Sequence, residues 1–261
     1  HLLQYRTLAK LKSTYCDGLL SQVADDGRIH STLNQTETRT GRISSSEPNL
    51  QNIPVRRPEG REMRKLFKAQ DGYVLCDADY SQIELRVLAH IANDSNMINA
   101  FKNGIDIHTL TASQVFGVPV EGVTPTMRSR AKAVNFGIVY GIGAFSLAKD
   151  IGVTRKEAAA YIDGYLATYP EVDKYMHRVV EQAKEDGFAS TMFGRRRLLP
   201  ELKNSNAMLR AFGERVARNM PIQGTAADII KIAMIRVNDR LEKELPDARL
   251  IMQVHDELIV E

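Results

Sequence analysis

The sequence has almost no cysteine: only Cys16 and Cys76 occur among its 261 residues. Two such distant thiols offer neither metal-ligand spacing nor a disulfide framework. That excludes a disulfide-stapled scaffold and a cysteine-based zinc module, and it suits a reducing compartment. Long apolar runs are missing as well. No stretch approaches transmembrane length, and the N-terminus lacks the architecture of a signal peptide. There is no internal repeat, no low-complexity tract and no clean linker. Positive and negative charges nearly balance: the formal net charge is +3, too small by itself to identify a polyanionic partner.

What is present is ordinary globular composition, 43% hydrophobic and 26% charged, with enough chain for a sizeable core and two subdomains. The positive charges are clustered. Arg56, Arg57, Arg61, Arg64, Lys65 and Lys68 form one basic patch, and Arg195, Arg196 and Arg197 form another. A basic run is equally a solvated face, so each patch alone decides nothing. The chain opens on His1 without an initiator methionine and stops at Glu261 inside an apparent strand, which reads as a piece of a longer protein.

Hydrophobic periodicity orders the rest. Residues 2–20 read as a helix, with Leu8, Leu11, Tyr15 and Leu19 on one face, and residues 27–34 alternate like a strand. Residues 36–58 are long and polar. Their Ser, Asn and Pro content is that of a linker, yet their Arg, Ser, Asn and Gln donors suit contacts to a nucleic-acid backbone. Residues 73–79 form a short apolar strand ending on an acid. After it Ile83, Val87 and Ile91 share a helical face, and further helices are predicted at 97–101 and 107–116. From 124 to about 242 the pattern is helical, with predicted breaks at Gly152, Pro170, Gly187 and near Pro221. Around Gly194 a small hairpin interrupts it. Residues 250–261 read as strand, tight turn and returning strand, with His255, Asp256 and Glu257 at the tip. A few strands early and late with a helical block between them make an α+β arrangement.

Two constellations carry chemistry. In the helix predicted at 125–141, Thr124 is a suitable N-cap and Pro125 a suitable first residue. Met127, Ala131, Val134 and Ile138 make its core face. Arg128, Lys132, Phe136 and Tyr140 recur at four-residue steps, drifting only about 40° per step, and form a second stripe. Cations near a helix N-terminus oppose its dipole, so an anion is needed to justify them. A triphosphate supplies that anion, and the aromatic rings beyond suit a base or sugar. The plainer reading is a solvated Arg and Lys beside half-buried rings.

The second constellation is the acids. Mg²⁺ takes oxygen ligands, typically one or two carboxylates plus phosphates and water, and a pair of such ions serves phosphoryl transfer. Asp79 and Asp256 are candidate ligands, with the Tyr80 carbonyl beside them and Glu257 as a neighbour. Asp77 shares a strand face with Asp79, so the pattern does not rank the two. His108 at a helix start suits a phosphate contact or a solvated surface equally. His255 lacks a partner at zinc spacing, and no local Ser-His-Asp or Cys-His arrangement presents itself.

Three motifs resemble those of the family A, bacterial DNA polymerase I-like enzymes. Asp79-Tyr-Ser-Gln-Ile-Glu-Leu-Arg86 resembles motif A. Arg128, Lys132, Phe136, Gly137, Tyr140 and Gly141 at their spacing resemble motif B, and Gln253-Val-His-Asp-Glu257 resembles motif C. Thr40-Gly-Arg42, the following Ser44 to Asn52, and Asn219-Met-Pro-Ile-Gln-Gly224 resemble the family's template-primer segments. The likeness runs from Leu2 to Glu261 in the family's order.

That resemblance implies an antiparallel palm sheet with an inserted, mostly helical fingers subdomain: palm at residues 1–93, fingers at 94–204, and a truncated palm portion at 205–261. It implies a template-directed DNA polymerase acting on primer-template DNA and deoxynucleoside triphosphates, a monomer with no membrane partner, cytoplasmic and nucleoid-associated in a bacterium. Two Mg²⁺ ions are expected at Asp79, Tyr80 and Asp256, with Glu257 close by. Arg128, Lys132 and His108 are expected to grip the triphosphate, and Lys132 to assist protonation of pyrophosphate. Phe136 packs on the nucleotide, and Glu84, near Tyr140 and Gln82, crowds the ribose 2′ position. Phe136, where some relatives carry Tyr, implies discrimination against dideoxynucleotides. Arg42, Asn49, Gln51, Asn52, Arg215, Gln223 and His255 are expected at the primer-template, largely in the minor groove, where acceptors vary little between correct pairs. The exonuclease domains, most of the thumb and the end of the palm have no counterpart in this sequence. A two-metal nuclease and a catalytically silent nucleic-acid-binding module are the alternatives. The cation-aromatic stripe argues against the nuclease, which holds no incoming triphosphate.

Overall fold

The structure is a computed structural model that describes residues 1–54 and 58–261, the side chains of Pro58, Glu59 and Arg61 excepted. Arg56, Arg57 and the Arg61 side chain of the predicted basic patch therefore lie outside the described residues. In chain order the helices are α1 (Leu2–Lys10), α2 (Gly18–Leu20), α3 (Pro58–Arg64), α4 (Ile83–Ala92), α5 (Ser95–Lys102), α6 (Ile107–Phe116), α7 (Pro125–Val139), α8 (Ala144–Ile151), α9 (Arg155–Thr168), α10 (Pro170–Asp186) and α11 (Ala207–Glu244). The strands are β1 (Thr32–Asn34), β2 (Ser44–Ser46), β3 (Cys76–Asp79), β4 (Phe188–Ser190), β5 (Arg196–Leu198), β6 (Leu250–Val254) and β7 (Glu257–Val260). Helices and antiparallel sheets thus combine as the α+β reading expects.

Two compact units divide the chain. The first comprises His1–Tyr80 and Ala227–Glu261, and the second, Ser81–Ala226, is inserted in sequence between β3 and β6. The inserted unit is wider than the residues 94–204 expected for the helical block.

In the first unit the order β3-β7-β6 makes an antiparallel sheet, with Asp79 opposite Glu257 and Val254 opposite Glu257 on the other side. A two-residue turn, His255 and Asp256, joins β6 to β7. His255 has φ 55°, the positive value that primed hairpin turns take at their first central residue. The far end of β7 is anchored. Glu261 is buried, pairs with the Arg28 guanidinium and accepts from the Gln70 amide at 2.9 Å.

The predicted helix at 2–20 is present, but its middle, Leu11–Asp17, is π-helical, and Leu19 is its buried anchor. The strand predicted at 27–34 is shorter, only Thr32–Asn34, with an isolated bridge between Val23 and Ile29. The polar stretch after it is no linker, because Ser44–Ser46 pairs with β1. Ser45 is 3% exposed. Its hydroxyl accepts from the Leu50 amide at 3.0 Å and lies 2.6 Å from the Ser31 hydroxyl, so side-chain hydrogen bonds shape what apolar burial does not.

In the second unit α7 packs on α4, α6, α8 and α9. Leu85, Leu88, Met97, Ile107, Val134, Val139, Leu147, Tyr165 and Tyr169 are its largest fully buried side chains, together with Leu199, Met220 and Ile222. The predicted boundaries hold at Gly152 and Gly187, which end α8 and α10 at φ 68° and 78°, and at Pro170, the first residue of α10. The hairpin β4-β5 turns around Gly194 at φ 83°.

Pro221 corrects the expectation. Proline removes a helix hydrogen bond and crowds the preceding turn, at a cost of about 3 kcal/mol. Nevertheless α11 runs through it unbroken for 38 residues. Ala217, Met220, Ile222 and Thr225 are each 0% exposed, and the burial of these side chains around Pro221 outweighs the local penalty.

Candidate active site

The sheet of the first unit gathers acids. Asp77 and Asp79 share a face of β3, and Glu257 stands directly opposite Asp79. The ladder continues one step past the strands: the Tyr80 amide donates to the Asp256 carbonyl at 3.1 Å. The end of β3 and the tip of the β6-β7 hairpin are therefore held side by side. The electrostatics report the crowding. Partial burial, then Asp256, then Asp77 hold the Asp79 carboxyl above the usual carboxylate range. Burial raises Glu257 too, followed by Asp77, while Arg64 opposes it.

Carboxylates held together in this way favour a cation. Among the described residues no three His, Cys, Asp or Glu side chains converge on one metal position. That donor set fits Mg²⁺, which takes one or two carboxylates and draws its remaining ligands from phosphates and water, better than an ion caged by protein alone.

The stripe predicted on α7 is present in the second unit. Thr124 caps the helix, accepting from the Met127 amide at 3.3 Å, and Pro125 opens it. Ala131, Val134 and Ile138 are buried, whereas Arg128, Lys132 and Tyr140 are exposed and Phe136 is half-buried. The Lys132 ammonium lies 5.8 Å from the centre of the Phe136 ring. Tyr140 ends the helix and donates to Glu84 Oε2 at 2.9 Å, so Glu84, 5% exposed on α4, is held beside it. Gln82 precedes α4 in the left-handed region at φ 58°, an uncommon conformation outside glycine.

His108 is not a surface residue: it is 2% exposed. Its ring lies 5.7 Å from that of Phe136, and its Nδ1 lies 2.9 Å from Asn135 Nδ2. Burial first, then the nearby cations Arg128 and Lys132, push it down to about 4 against the pull of Asp106.

Asp106 and Asn135 were not singled out from the sequence. Asp106 caps α6, accepting from the His108 amide at 3.0 Å and the Thr109 hydroxyl at 2.9 Å, and it also accepts from Arg128 Nε at 2.6 Å. Its signal was an Asp placed immediately before an apolar helical run. Asn135 left a fainter one, a polar side chain among the buried residues of α7.

The residues expected at primer-template are distributed over both units. In the first, Arg42 is half-buried and its carbonyl accepts from the Thr38 hydroxyl at 2.6 Å. Asn49 is exposed and accepts from the Gln51 amide at 3.0 Å, while the Asn52 carbonyl accepts from the Tyr15 hydroxyl at 2.7 Å. Gln51 Nε2 donates to the Gln253 carbonyl at 3.0 Å, which ties this segment to β6. His255 is exposed at the hairpin tip. In the second unit Gln223 is half-buried on α11 and Arg215 is exposed there. Gly141 has φ 65°, and a Cβ on it would stand 3.1 Å from Arg215 Cγ.

The family model for DNA polymerase family A matches residues 1–261. DNA polymerase I of Caldicellulosiruptor bescii is 53% identical over the whole chain, and that of Pseudomonas aeruginosa 54%. The chain spans 31% and 29% of those relatives, about a third of their length. Among solved structures it is similar to the POL domain of Pol1 from M. smegmatis in complex with DNA primer-template and dNTP. The TM-score is 0.96 and the identity 49%, covering all of this chain and 46% of that one. Motifs, architecture and similarity agree over the full sequence, and the chain belongs to DNA polymerase family A.

Proposed function

We propose that the chain is the palm and fingers portion of a template-directed DNA polymerase that adds deoxynucleotides to a primer 3′ end and releases pyrophosphate. The observation that carries the reading is the α7 stripe: exposed cations on the first turns and aromatic rings on the last, beside a buried neutral histidine. The palm corresponds to residues 1–93 and 205–261 and the fingers to 94–204.

Each residue then has a task. Lys132 and the terminal nitrogens of Arg128 hold the phosphates, while Arg128 Nε, bonded to Asp106, sets the guanidinium's direction. His108 donates a hydrogen bond without adding charge, and Lys132 assists protonation of the departing pyrophosphate. Phe136 packs against the sugar and base. Glu84, held by Tyr140 with Gln82 at the helix start, crowds the ribose 2′ position and so favours deoxynucleotides. Arg42, Asn49, Gln51, Asn52, Arg215, Gln223 and His255 contact primer-template and judge pair shape, leaving sequence to the template.

Asp79 and Asp256, with the Tyr80 carbonyl, are the residues that hold Mg²⁺, and Glu257 lies beside them. Two bound ions supply Lewis-acid stabilisation of charge on the attacking and leaving oxygens. The partners are primer-template DNA and deoxynucleoside triphosphates. The protein works as a monomer in the bacterial cytoplasm, at the nucleoid. No helix among the described residues is long and apolar enough to cross a membrane.

Primer extension on a labelled primer-template with Mg²⁺ and four deoxynucleotides, beside Asp256→Ala, tests the reading. Template-dependent growth is expected, lost on the order of a hundredfold or more in the variant, because several kcal/mol of charge stabilisation go with the ligand. Primer shortening would point to a nuclease instead. Binding of primer-template without any growth would leave a silent binding module.

A further inference from the structure

Behind the stripe lies a buried polar chain that phosphate binding alone does not require. The Tyr169 hydroxyl lies 3.4 Å from Thr111 Oγ1, Thr111 Oγ1 lies 3.2 Å from Asn135 Oδ1, and Asn135 Nδ2 lies 2.9 Å from His108 Nδ1. None of the four residues is more than 2% exposed. Buried polar groups of this kind satisfy one another, and the amide's orientation, oxygen toward Thr111 and nitrogen toward His108, sets the direction of the bonds. An amide nitrogen donates and does not accept, so Nδ1 of His108 is the unprotonated ring nitrogen. The amide oxygen accepts from Thr111, whose own oxygen is then left to accept from Tyr169. The polarity runs one way, from phenol to imidazole.

We propose that Asn135 is a positioning residue whose amide, oriented by Thr111 and Tyr169, fixes His108 as the neutral tautomer with its hydrogen on Nε2, so that His108 meets the triphosphate as a hydrogen-bond donor. The role of the triphosphate rests on the function proposed above; the tautomer does not. Burial of His108 acts in the same direction, because an imidazolium in this setting loses hydration. A donor that carries no charge can bond a phosphate oxygen without binding a proton first, so its contact does not fade as pH rises toward neutrality. The ionisable groups facing the ring are Asp106 at the head of α6, Arg128 and Lys132 on α7 and, through Thr111, the Tyr169 phenol.

Nitrogen-15 NMR of the full chain labelled in its histidine rings reads the tautomer directly, with the His108 signals identified by their loss in His108→Gln. The expected spectrum has Nδ1 bare and Nε2 protonated. Asn135→Asp replaces the amide donor with a carboxylate that accepts from Nδ1–H, so the ring gains a second proton and its ionisation moves up toward neutrality. Thr111→Val, a milder change of similar shape, releases the amide to flip. It is expected to give a mixture of tautomers and to weaken Mg²⁺-dATP binding in proportion to the share of rings without a hydrogen on Nε2, about twofold for an even mixture. A wild-type ring protonated on Nδ1 would overturn the proposal. So would an unchanged tautomer and ionisation in both variants, the outcome of a purely structural network. Absence of Mg²⁺-dATP binding in the wild type would instead overturn the triphosphate site while the ligand-free spectrum still decides the tautomer.

Discussion

Arg128 donates its Nε hydrogen to Asp106 Oδ2 at 2.6 Å, so the cation that opens the α7 stripe is tied to the residue that caps α6. Partial burial pushes the Asp106 carboxyl up. Arg128, the Thr109 hydroxyl and the His108 amide outweigh it and hold the group at about 2. A carboxylate depressed in the fold adds stability above its unfolded pKa of about 3.9, and that stability is lost as pH falls through the folded value. Asp106→Asn keeps the capping oxygen but not the charge. Acid unfolding followed by circular dichroism is expected to be flatter in the variant between about pH 4 and 2. Both side chains are more than a third exposed, so the difference is modest and shrinks further in salt.

His108 produces a second window at higher pH. Its folded value is depressed to about 4. The unfolded chain takes up that proton near pH 6.5, before the folded chain does. Between those values the unfolded state binds more protons, so stability is fully present above about pH 6.5 and falls as pH drops toward 4. Denaturant midpoints across that range are expected to show the slope in the wild type and a reduced one in His108→Gln.

Which parts of this arrangement the sequence disclosed follows from how local each signal is. The β6-β7 hairpin and the α7 stripe were readable because alternation and four-residue spacing are properties of neighbouring residues. Gly152, Gly187 and Gly194 were readable because positive φ favours glycine. Pro221 misled because its local penalty is real, and only the burial of Met220, Ile222 and Thr225 shows it to be outweighed. Ser44–Ser46 looked like a linker because its order comes from the hydroxyl of Ser45 and not from apolar spacing. Asn135 was hidden because its meaning lies in His108 and Thr111, which stand 27 and 24 positions away in the chain.

The acids of the sheet should make the chain respond to divalent cations. Asp79 is held above its ordinary range by burial, Asp256 and Asp77, so its charge is a burden when no cation is bound. Mg²⁺ binding the folded state alone raises the unfolding temperature, and the rise grows with concentration by mass action. Asp79→Asn is expected to raise the midpoint measured in EDTA slightly and to remove most of the Mg²⁺-dependent shift. Scanning calorimetry in EDTA and in Mg²⁺ checks both signs; equal Mg²⁺ responses in the two proteins would rule out Asp79 as a ligand.

Gly137 provides a test of packing beneath the stripe. In an ordinary helix interior, Gly→Ala stabilises by roughly 0.5–1 kcal/mol. Here a Cβ would stand 2.4 Å from Ile142 Cγ2. That methyl sits on a β-branched carbon and cannot swing aside cheaply. The Ile142 backbone is pinned as well, its amide donating to the Gly137 carbonyl at 2.8 Å. Overpacking of this kind costs about 1–3 kcal/mol, more than the helix propensity returns, so Gly137→Ala is expected to destabilise the chain. If the clash is the cause, Ile142→Ala should relieve it. The double variant is then less destabilised than the sum of the two single variants, and urea midpoints for the four proteins of that cycle measure the coupling.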